Sequence, residues 1–90
     1  MNIKTLKIFS DLVASASFSK TAQCNRMSQS AISQQIKSLE SALNVSLLDK
    51  NQKKFQLTPE GLIFYKYAQR VLSDYQSLIE NLRNSNENAG

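Results

Sequence analysis

The only proline of this 90-residue chain opens a long amphipathic segment. Thr58 can cap a helix with its hydroxyl, Pro59 suits the first helical position because its missing N–H costs nothing there, and Glu60 complements the positive end of the helix dipole. The segment therefore predicts one helix from Pro59 to about Leu82. Its apolar side chains alternate steps of four and three residues, a spacing typical of a helix that pairs with another helix, and they are Phe64, Ala68, Val71, Tyr75, Leu78 and Leu82.

This helix is too long for the rest of the chain to cover. At ~1.5 Å per residue it measures roughly 36 Å, whereas a globule of about 60 residues has a radius of gyration of only ~10 Å. Part of the apolar stripe, which Leu72 and Ile79 widen, must therefore overhang. We predict a symmetric homodimer that buries the six stripe residues, with packing on the chain's own domain alone as the alternative.

Three shorter helical patterns precede the long helix. Apolar side chains at three- and four-residue steps predict a first helix from Ile3 to Ala16. Ser19 is expected to cap a second helix that ends near residue 26, and Ser28 a third helix that ends at Leu43 because Asn44 tolerates the left-handed conformation. The tight break at residues 27 and 28 predicts a helix-turn-helix over about 19–43.

Two short stretches follow the third helix. Residues 47–50 and 54–57 flank Asn51-Gln52-Lys53 and predict a two-stranded hairpin with Phe55 and Leu57 facing inward. The order of helix, helix, helix, hairpin and long helix is that of a winged helix-turn-helix with an added helix, a mainly α fold. We place the winged unit at 1–58, the long helix at 59–83 and a polar tail at 84–90.

The composition excludes several classes of function. The chain holds no histidine and one cysteine, so an internal disulfide, the usual His/Cys zinc site and a Ser-His-Asp site are all excluded. Two glycines hardly suffice for a phosphate-cradling loop. Apolar runs do not exceed four residues and the start lacks a signal peptide, so neither a membrane span nor export is expected. We expect no catalysis and no cofactor, and a cytoplasmic location.

The basic charge is concentrated in the winged unit. Eight Lys or Arg face three Asp or Glu up to Leu57, whereas three face four from Thr58 onward. This asymmetry is typical of a nucleic-acid-binding module joined to a neutral assembly segment.

A polar surface and a lysine cluster are the candidate binding residues. If the aliphatic side chains of the third helix face the core, its opposite face is polar and mostly uncharged. Gln can bond adenine edges, Ser can bond bases or phosphates, and a helix N-terminus can hold a phosphate, while hairpin lysines can contact phosphates or a minor groove. An ordinary solvated face and added solubility are the alternatives. The predicted DNA-binding residues are Ser28, Gln29, Ser30, Ser33, Gln34, Lys37, Lys50, Lys53 and Lys54.

Several motifs between Leu6 and Gly61 together resemble the N-terminal domain of the LysR-type transcriptional regulators. They are Ser-Gln-Ser-Ala-Ile-Ser at 28–33, Leu-Glu-x-x-Leu at 39–43 and Leu-Thr-x-x-Gly at 57–61. The resemblance implies a winged helix-turn-helix, a linker helix that pairs two subunits, binding to interrupted inverted repeats in double-stranded DNA, and a DNA contact near Lys53. Family members continue into a ligand-sensing domain, so this chain is either a fragment or a short relative. A higher oligomer would depend on such a domain in the parent protein.

Five positions depart from the family pattern. Asn25 stands where Leu is usual in the second helix, and Asn44 replaces a usual Gly. Leu48 and Lys50 stand where Phe and Arg are more frequent, and Gln34 occupies a site that is often Arg. These departures predict altered packing around the second helix and an altered base preference.

Three other functions stay open at this point. The first is a winged-helix module that binds a protein and has no DNA affinity, which the uncharged face of the third helix favours. The second is a small enzyme or its regulatory subunit, and the third is a winged-helix repressor of another family that differs in how its end helices dimerise.

Overall fold

The computed structural model describes residues 1–51 and 53–89, which form four helices. They are α1 (Ile3–Ser15), α2 (Phe18–Asn25), α3 (Gln29–Leu43) and α4 (Pro59–Ala89). α2 and α3 pack against each other, and α1 contacts all three other helices. The mainly helical class predicted from the sequence is confirmed.

The first helix begins and ends close to the predicted residues. The Asn2 Oδ1 accepts a hydrogen bond from the Thr5 N–H at 2.9 Å, which satisfies one of the free amides of the first turn. The helix stops where Ala16 takes the left-handed conformation with φ 53°. On its apolar face Phe9 and Leu12 are fully buried.

The second helix begins at Phe18, one residue before the predicted cap. Ser17, with an extended backbone, is the cap, and its Oγ accepts the Lys20 N–H at 3.1 Å. Ser19 is not the cap, because it already lies in the first helical turn. The buried Thr21 adds a second bond to the same residue, since its Oγ1 donates to the Ser17 carbonyl at 2.8 Å.

The third helix has the predicted bounds. The Ser28 Oγ accepts the Ala31 N–H at 3.1 Å and starts the helix. Asn44 ends it with φ 56°, and the Val45 N–H donates to the Glu40 carbonyl at 3.2 Å. This is the Schellman arrangement expected of a left-handed residue after the last turn.

We call residues 46–58, which lie between α3 and α4, the wing. The described part of the wing forms a loop and not the predicted two-stranded hairpin. In its described residues, 46–51 and 53–58, a single antiparallel bridge joins Leu48 and Leu57. Strand pairing ends at this bridge because the chain turns directly after Leu48, where the Asp49 Oδ1 accepts the Asn51 N–H at 3.0 Å. Phe55 and Leu57 pack against the core as predicted, and Gln52 of the predicted turn lies outside the described residues.

The core gathers the apolar faces of all elements around α1. Its buried residues are Ile8, Phe9, Leu12, Ala22, Ile32, Ile36, Leu39 and Leu47. The ring of Phe64 on α4 meets the ring of Phe9 edge to face at 5.0 Å between centroids, which holds the first turns of α4 on the core.

The last helix continues past the predicted end at residue 83. It reaches Ala89, because the Asn, Ser and Glu residues after Arg83 include no proline or glycine that would stop it before Gly90, which lies outside the described residues. The molecule is consequently elongated, with extents of 56 × 26 × 20 Å. The second half of α4 extends beyond the core, as the length argument predicts.

Candidate nucleic-acid interface

The two faces of α3 separate apolar from polar side chains. Ile32, Ile36 and Leu39 are buried. The predicted binding residues of this helix lie outside the core, with Ser33 half-buried and the others exposed, namely Ser28, Gln29, Ser30, Gln34 and Lys37. The structure therefore leaves the amides and hydroxyls of this face open to a partner.

The N-terminus of α3 is capped and exposed. The hydroxyl of Ser28 accepts the Ala31 N–H and lies 3.2 Å from the hydroxyl of Ser30. The capping role of Ser28 is thus present in the structure. The positive end of the helix dipole lies next to the polar face, where it favours an anion.

The lysines of the wing lie beside α3. Lys50, Lys53 and Lys54 are exposed, and together with Lys37 of α3 they line a groove of about 390 Å³ between α3 and the wing, which we call the lysine groove. Phe18, Ile36 and Phe55 contribute to its apolar lining, and Glu40 and Asp49 are its two acidic residues. The groove therefore carries a net positive charge.

Glu40 connects α3 to the base of the wing. One carboxylate oxygen, Oε2, accepts the N–H of Leu47 at 2.7 Å and the N–H of Leu48 at 3.3 Å. We did not identify this role from the sequence, although Glu40 belongs to the Leu-Glu-x-x-Leu motif. The signal available was an acidic residue within a basic segment.

The base of the wing also contacts the start of α4. The Thr58 N–H donates to the Leu47 carbonyl at 3.0 Å, and the Thr58 Oγ1 accepts the Gly61 N–H at 3.0 Å, the predicted cap. A Cβ on Gly61 would lie 2.1 Å from the Leu47 carbonyl oxygen. Glycine is needed at this position because the two backbones approach each other directly.

Asn25, the departure in α2, is held by a polar network. Its Nδ2 donates to the Thr21 carbonyl at 2.9 Å and to the Asp11 Oδ2 at 3.1 Å. Lys7 completes the network, with its Nζ 2.9 Å from Asp11 and 3.2 Å from the Asn25 Oδ1. The Asn25 side chain therefore links α1 and α2 through hydrogen bonds.

The six predicted dimerisation residues divide into two groups. Phe64 packs on the chain's own core and Ala68 is only 3% exposed, so the chain itself covers these two residues, and their part in dimerisation stays a prediction. They lie at the near end of α4, where the core covers the helix. The other four are 43% to 55% exposed, namely Val71, Tyr75, Leu78 and Leu82.

Two further residues extend the exposed apolar side of α4. Ile63 and Tyr67 are 59% and 57% exposed, and with Val71 they follow four-residue steps along the helix. We missed them because the count of steps began at Phe64, which packs on the core, and did not include the residues beside it on the open side. The exposed stripe of α4 is therefore Ile63, Tyr67, Val71, Tyr75, Leu78 and Leu82.

The helices of the described residues include no candidate membrane span. None of them combines the length and the apolar content that a membrane span needs.

The arrangement of a capped helix pair, an exposed polar second helix and a basic wing defines a helix-turn-helix unit. Over residues 3–62 the chain matches the model of the bacterial regulatory helix-turn-helix proteins of the lysR family. The chain belongs to the LysR family, and this unit is the DNA-binding domain of a transcriptional regulator. The resemblance inferred from the motifs is confirmed.

Curated relatives share this segment with the chain. A probable RuBisCO transcriptional regulator of Cyanidioschyzon merolae is 46% identical over 68 residues, which are 76% of this chain and 22% of that protein. The HTH-type transcriptional regulator BenM of Acinetobacter baylyi is 34% identical over 79 residues, 88% of this chain and 26% of BenM. The chain thus spans about a quarter of the length of these relatives.

Solved structures show the same fold. The BenM DBD in a complex with catB site 1 DNA superposes with a TM-score of 0.88 at 32% identity and covers 93% of this chain and 94% of that one. DarR of Vibrio fischeri in complex with DNA gives a TM-score of 0.88 at 26% identity, over 97% of this chain and 30% of DarR.

Proposed function

We propose that this chain binds double-stranded DNA in a sequence-specific manner with α3 in the major groove. The observation that carries this proposal is the exposed polar face of α3 beside the lysine groove. Gln29 and Gln34 are assigned to base edges, since glutamine can bond adenine through two hydrogen bonds. Ser28 and the first amides of α3 are assigned to a phosphate, which fixes the register of the helix without reading sequence.

The remaining polar residues complete the proposed contact. Ser30, Ser33 and Lys37 flank the glutamines on the same face of α3. Lys50 and Lys53, with Lys54, are assigned to the phosphates or to an adjacent minor groove, where a narrow groove concentrates negative potential. We also propose that the two short strands expected in the wing form when the wing binds the duplex.

We propose that two chains pair through the exposed stripe of α4. A pair related by a two-fold axis would bury this stripe and place two copies of α3 on one face of the duplex, ~34–36 Å apart or a multiple of that distance. Such a pair would bind an interrupted inverted repeat. For a bacterial-type DNA-binding regulator we assign the cytoplasm as the working location, and because the relatives are regulators we assign no catalysis.

Random-site selection followed by sequencing tests the proposal. The chain is incubated with a duplex library that carries a randomised centre, and bound DNA is recovered over several rounds. We expect two related half-sites in inverted orientation, bound at least tenfold more tightly than random DNA. Recovery of unrelated sequences, bound equally well, would contradict sequence-specific binding, and the absence of any bound DNA would favour the winged-helix protein-interaction module.

A further inference from the structure

We infer that Glu40 is a positioning residue that sets the place of the wing lysines relative to α3. The inference rests on the DNA contact proposed above for the wing lysines, and it concerns how these lysines are kept in position. Glu40 lies on α3, the helix assigned to the major groove, yet its side chain bonds the segment that leads to Lys50, Lys53 and Lys54.

Glu40 fixes this segment at three amides. Its carbonyl accepts the Val45 N–H at 3.2 Å, and its Oε2 accepts the N–H groups of Leu47 and Leu48 at 2.7 Å and 3.3 Å. Hydrogen bonds to an ionised carboxylate are stronger and shorter than neutral ones. The chain between α3 and the bridge of the wing is thereby held to one residue of α3.

The surroundings make this bond hard to replace. Leu47 is only 1% exposed, so water has little access to the residue whose amide Glu40 accepts. The next residue, Leu48, forms the bridge to Leu57. A displacement of Leu47 and Leu48 would therefore move both sides of the wing and the lysines at its tip.

Glu40 is unsuited to direct DNA contact because its side chain is negatively charged. A carboxylate in the lysine groove repels phosphates and lowers the local positive potential. Its place there is consistent with a structural bond that the amides require. The predicted effect of Glu40 on DNA binding is consequently indirect and passes through the wing lysines.

A double-mutant cycle between Glu40 and Lys53 measures this dependence. DNA affinity is measured by fluorescence anisotropy at several salt concentrations on a random-sequence duplex, using the full chain. In the native background Lys53→Ala should lower the slope of log K against log salt by about 0.9, the value for one phosphate contact. In the Glu40→Ala background the same change should alter the slope by less than about a third of that amount, because the wing is already displaced.

Conservative variants separate the reach of the side chain from its charge. Glu40→Gln keeps an oxygen at the same distance and should retain the native coupling to Lys53. Glu40→Asp keeps the charge but shortens the side chain by one methylene, so it should reduce the coupling to Lys53 as Glu40→Ala does. It replaces Glu40→Ala in the test if Glu40→Ala folds poorly. Glu80→Ala is the charge-matched control, since it removes an exposed carboxylate on the far half of α4 and should leave the coupling intact.

Amide hydrogen exchange provides a readout without DNA. In Glu40→Ala and Glu40→Asp the Leu47 and Leu48 amides should exchange at least tenfold faster than in the native chain, whereas the amides of Ile32 and Ile36 keep their rates. Unchanged exchange at Leu47 and Leu48 overturns the inference. So does a Lys53→Ala effect of equal size in the native and Glu40→Asp backgrounds. If Lys53→Ala has no effect in either background, the proposed wing contact fails together with the inference.

Discussion

α3 and α4 each leave one face uncovered, but the two faces carry opposite kinds of side chain. α3 buries Ile32, Ile36 and Leu39 and exposes amides, hydroxyls and one lysine. α4 exposes aliphatic and aromatic residues beyond the core. Polar groups lose little by staying in water, whereas apolar surface gains about 25 cal/mol per Å² when it is covered. The first surface therefore suits a hydrated, charged duplex, and the second suits another protein.

The distribution of charge follows the same division. The segment up to Leu57 carries eight basic and three acidic residues, and the segment from Thr58 carries three and four. A surplus of positive charge steers a polyanion to the first region. The near-neutral second region lets two copies approach each other without strong repulsion.

The largest effect is expected where the two regions join. Gly61→Ala places a methyl group against the Leu47 carbonyl, and because backbone atoms cannot move aside as side chains do, the free energy of unfolding should fall by about 3 kcal/mol. Urea denaturation followed by circular dichroism measures it. Ser73→Ala, an exposed position within α4, is the control and should stay within about 0.5 kcal/mol of the native value. Equal stability of both variants would mean that the backbones do not approach so closely.

The second effect sharpens the assignment of α4. Leu78→Glu puts a charge on the exposed stripe of each copy and should weaken self-association by about 30-fold or more, equivalent to ~2 kcal/mol. Leu62→Glu is the matched control, because Leu62 is similarly exposed on the opposite side of α4 and should leave the association unchanged. Sedimentation equilibrium gives both dissociation constants. A larger effect at Leu62 would move the pairing surface to the other side of the helix.

The third effect tests the face of α3. Gln34→Ala should reduce the preference for a selected site over random DNA by about tenfold, as expected for the loss of one base contact of ~1–3 kcal/mol. Gln35→Ala removes the same type of side chain from a position about 100° away around the helix axis, and it should leave the preference for the selected site unchanged. Competition mobility-shift assays measure the ratio. Equal loss on selected and random DNA would remove Gln34 from base recognition.

The smallest effect concerns the wing lysines. Lys53→Ala should weaken binding to all sequences a few-fold and reduce the slope of log K against log salt by about 0.9. Lys66→Ala, which removes an exposed lysine from α4, is the control and should leave the slope unchanged. Titrations at four salt concentrations decide between them. A native slope in Lys53→Ala would exclude this side chain from the phosphate contact.

Most of the helical framework could be predicted because local signals decide it. Ser28, Asn44 and Thr58 mark helix ends through bonds to residues a few positions away, and the structure has these bonds. The start of α2 was predicted wrongly because Ser17 and Ser19 are both good caps. The choice between them depends on the backbone conformation of Ser17, which the sequence does not reveal.

The features that sequence reasoning missed depend on contacts between distant residues. Glu40 bonds amides seven and eight residues away, and Asn25 bonds Asp11 across two helices. The division of the α4 stripe likewise depends on how far the core reaches along the helix. Periodicity identifies an apolar side but does not show which part of it the chain itself covers, as it does at Phe64 and Ala68.

The approach of Gly61 to the Leu47 carbonyl brings main-chain atoms of the wing and of α4 into direct contact. Main-chain atoms in contact cannot accommodate a displacement by changing rotamer, as side chains can. The angle at which α4 leaves the wing is consequently stiff, and in a pair of chains a tilt of one α4 against the other would be transmitted to the lysine groove. The crossing angle of the two long helices would thereby govern the separation of the half-sites that the pair can span.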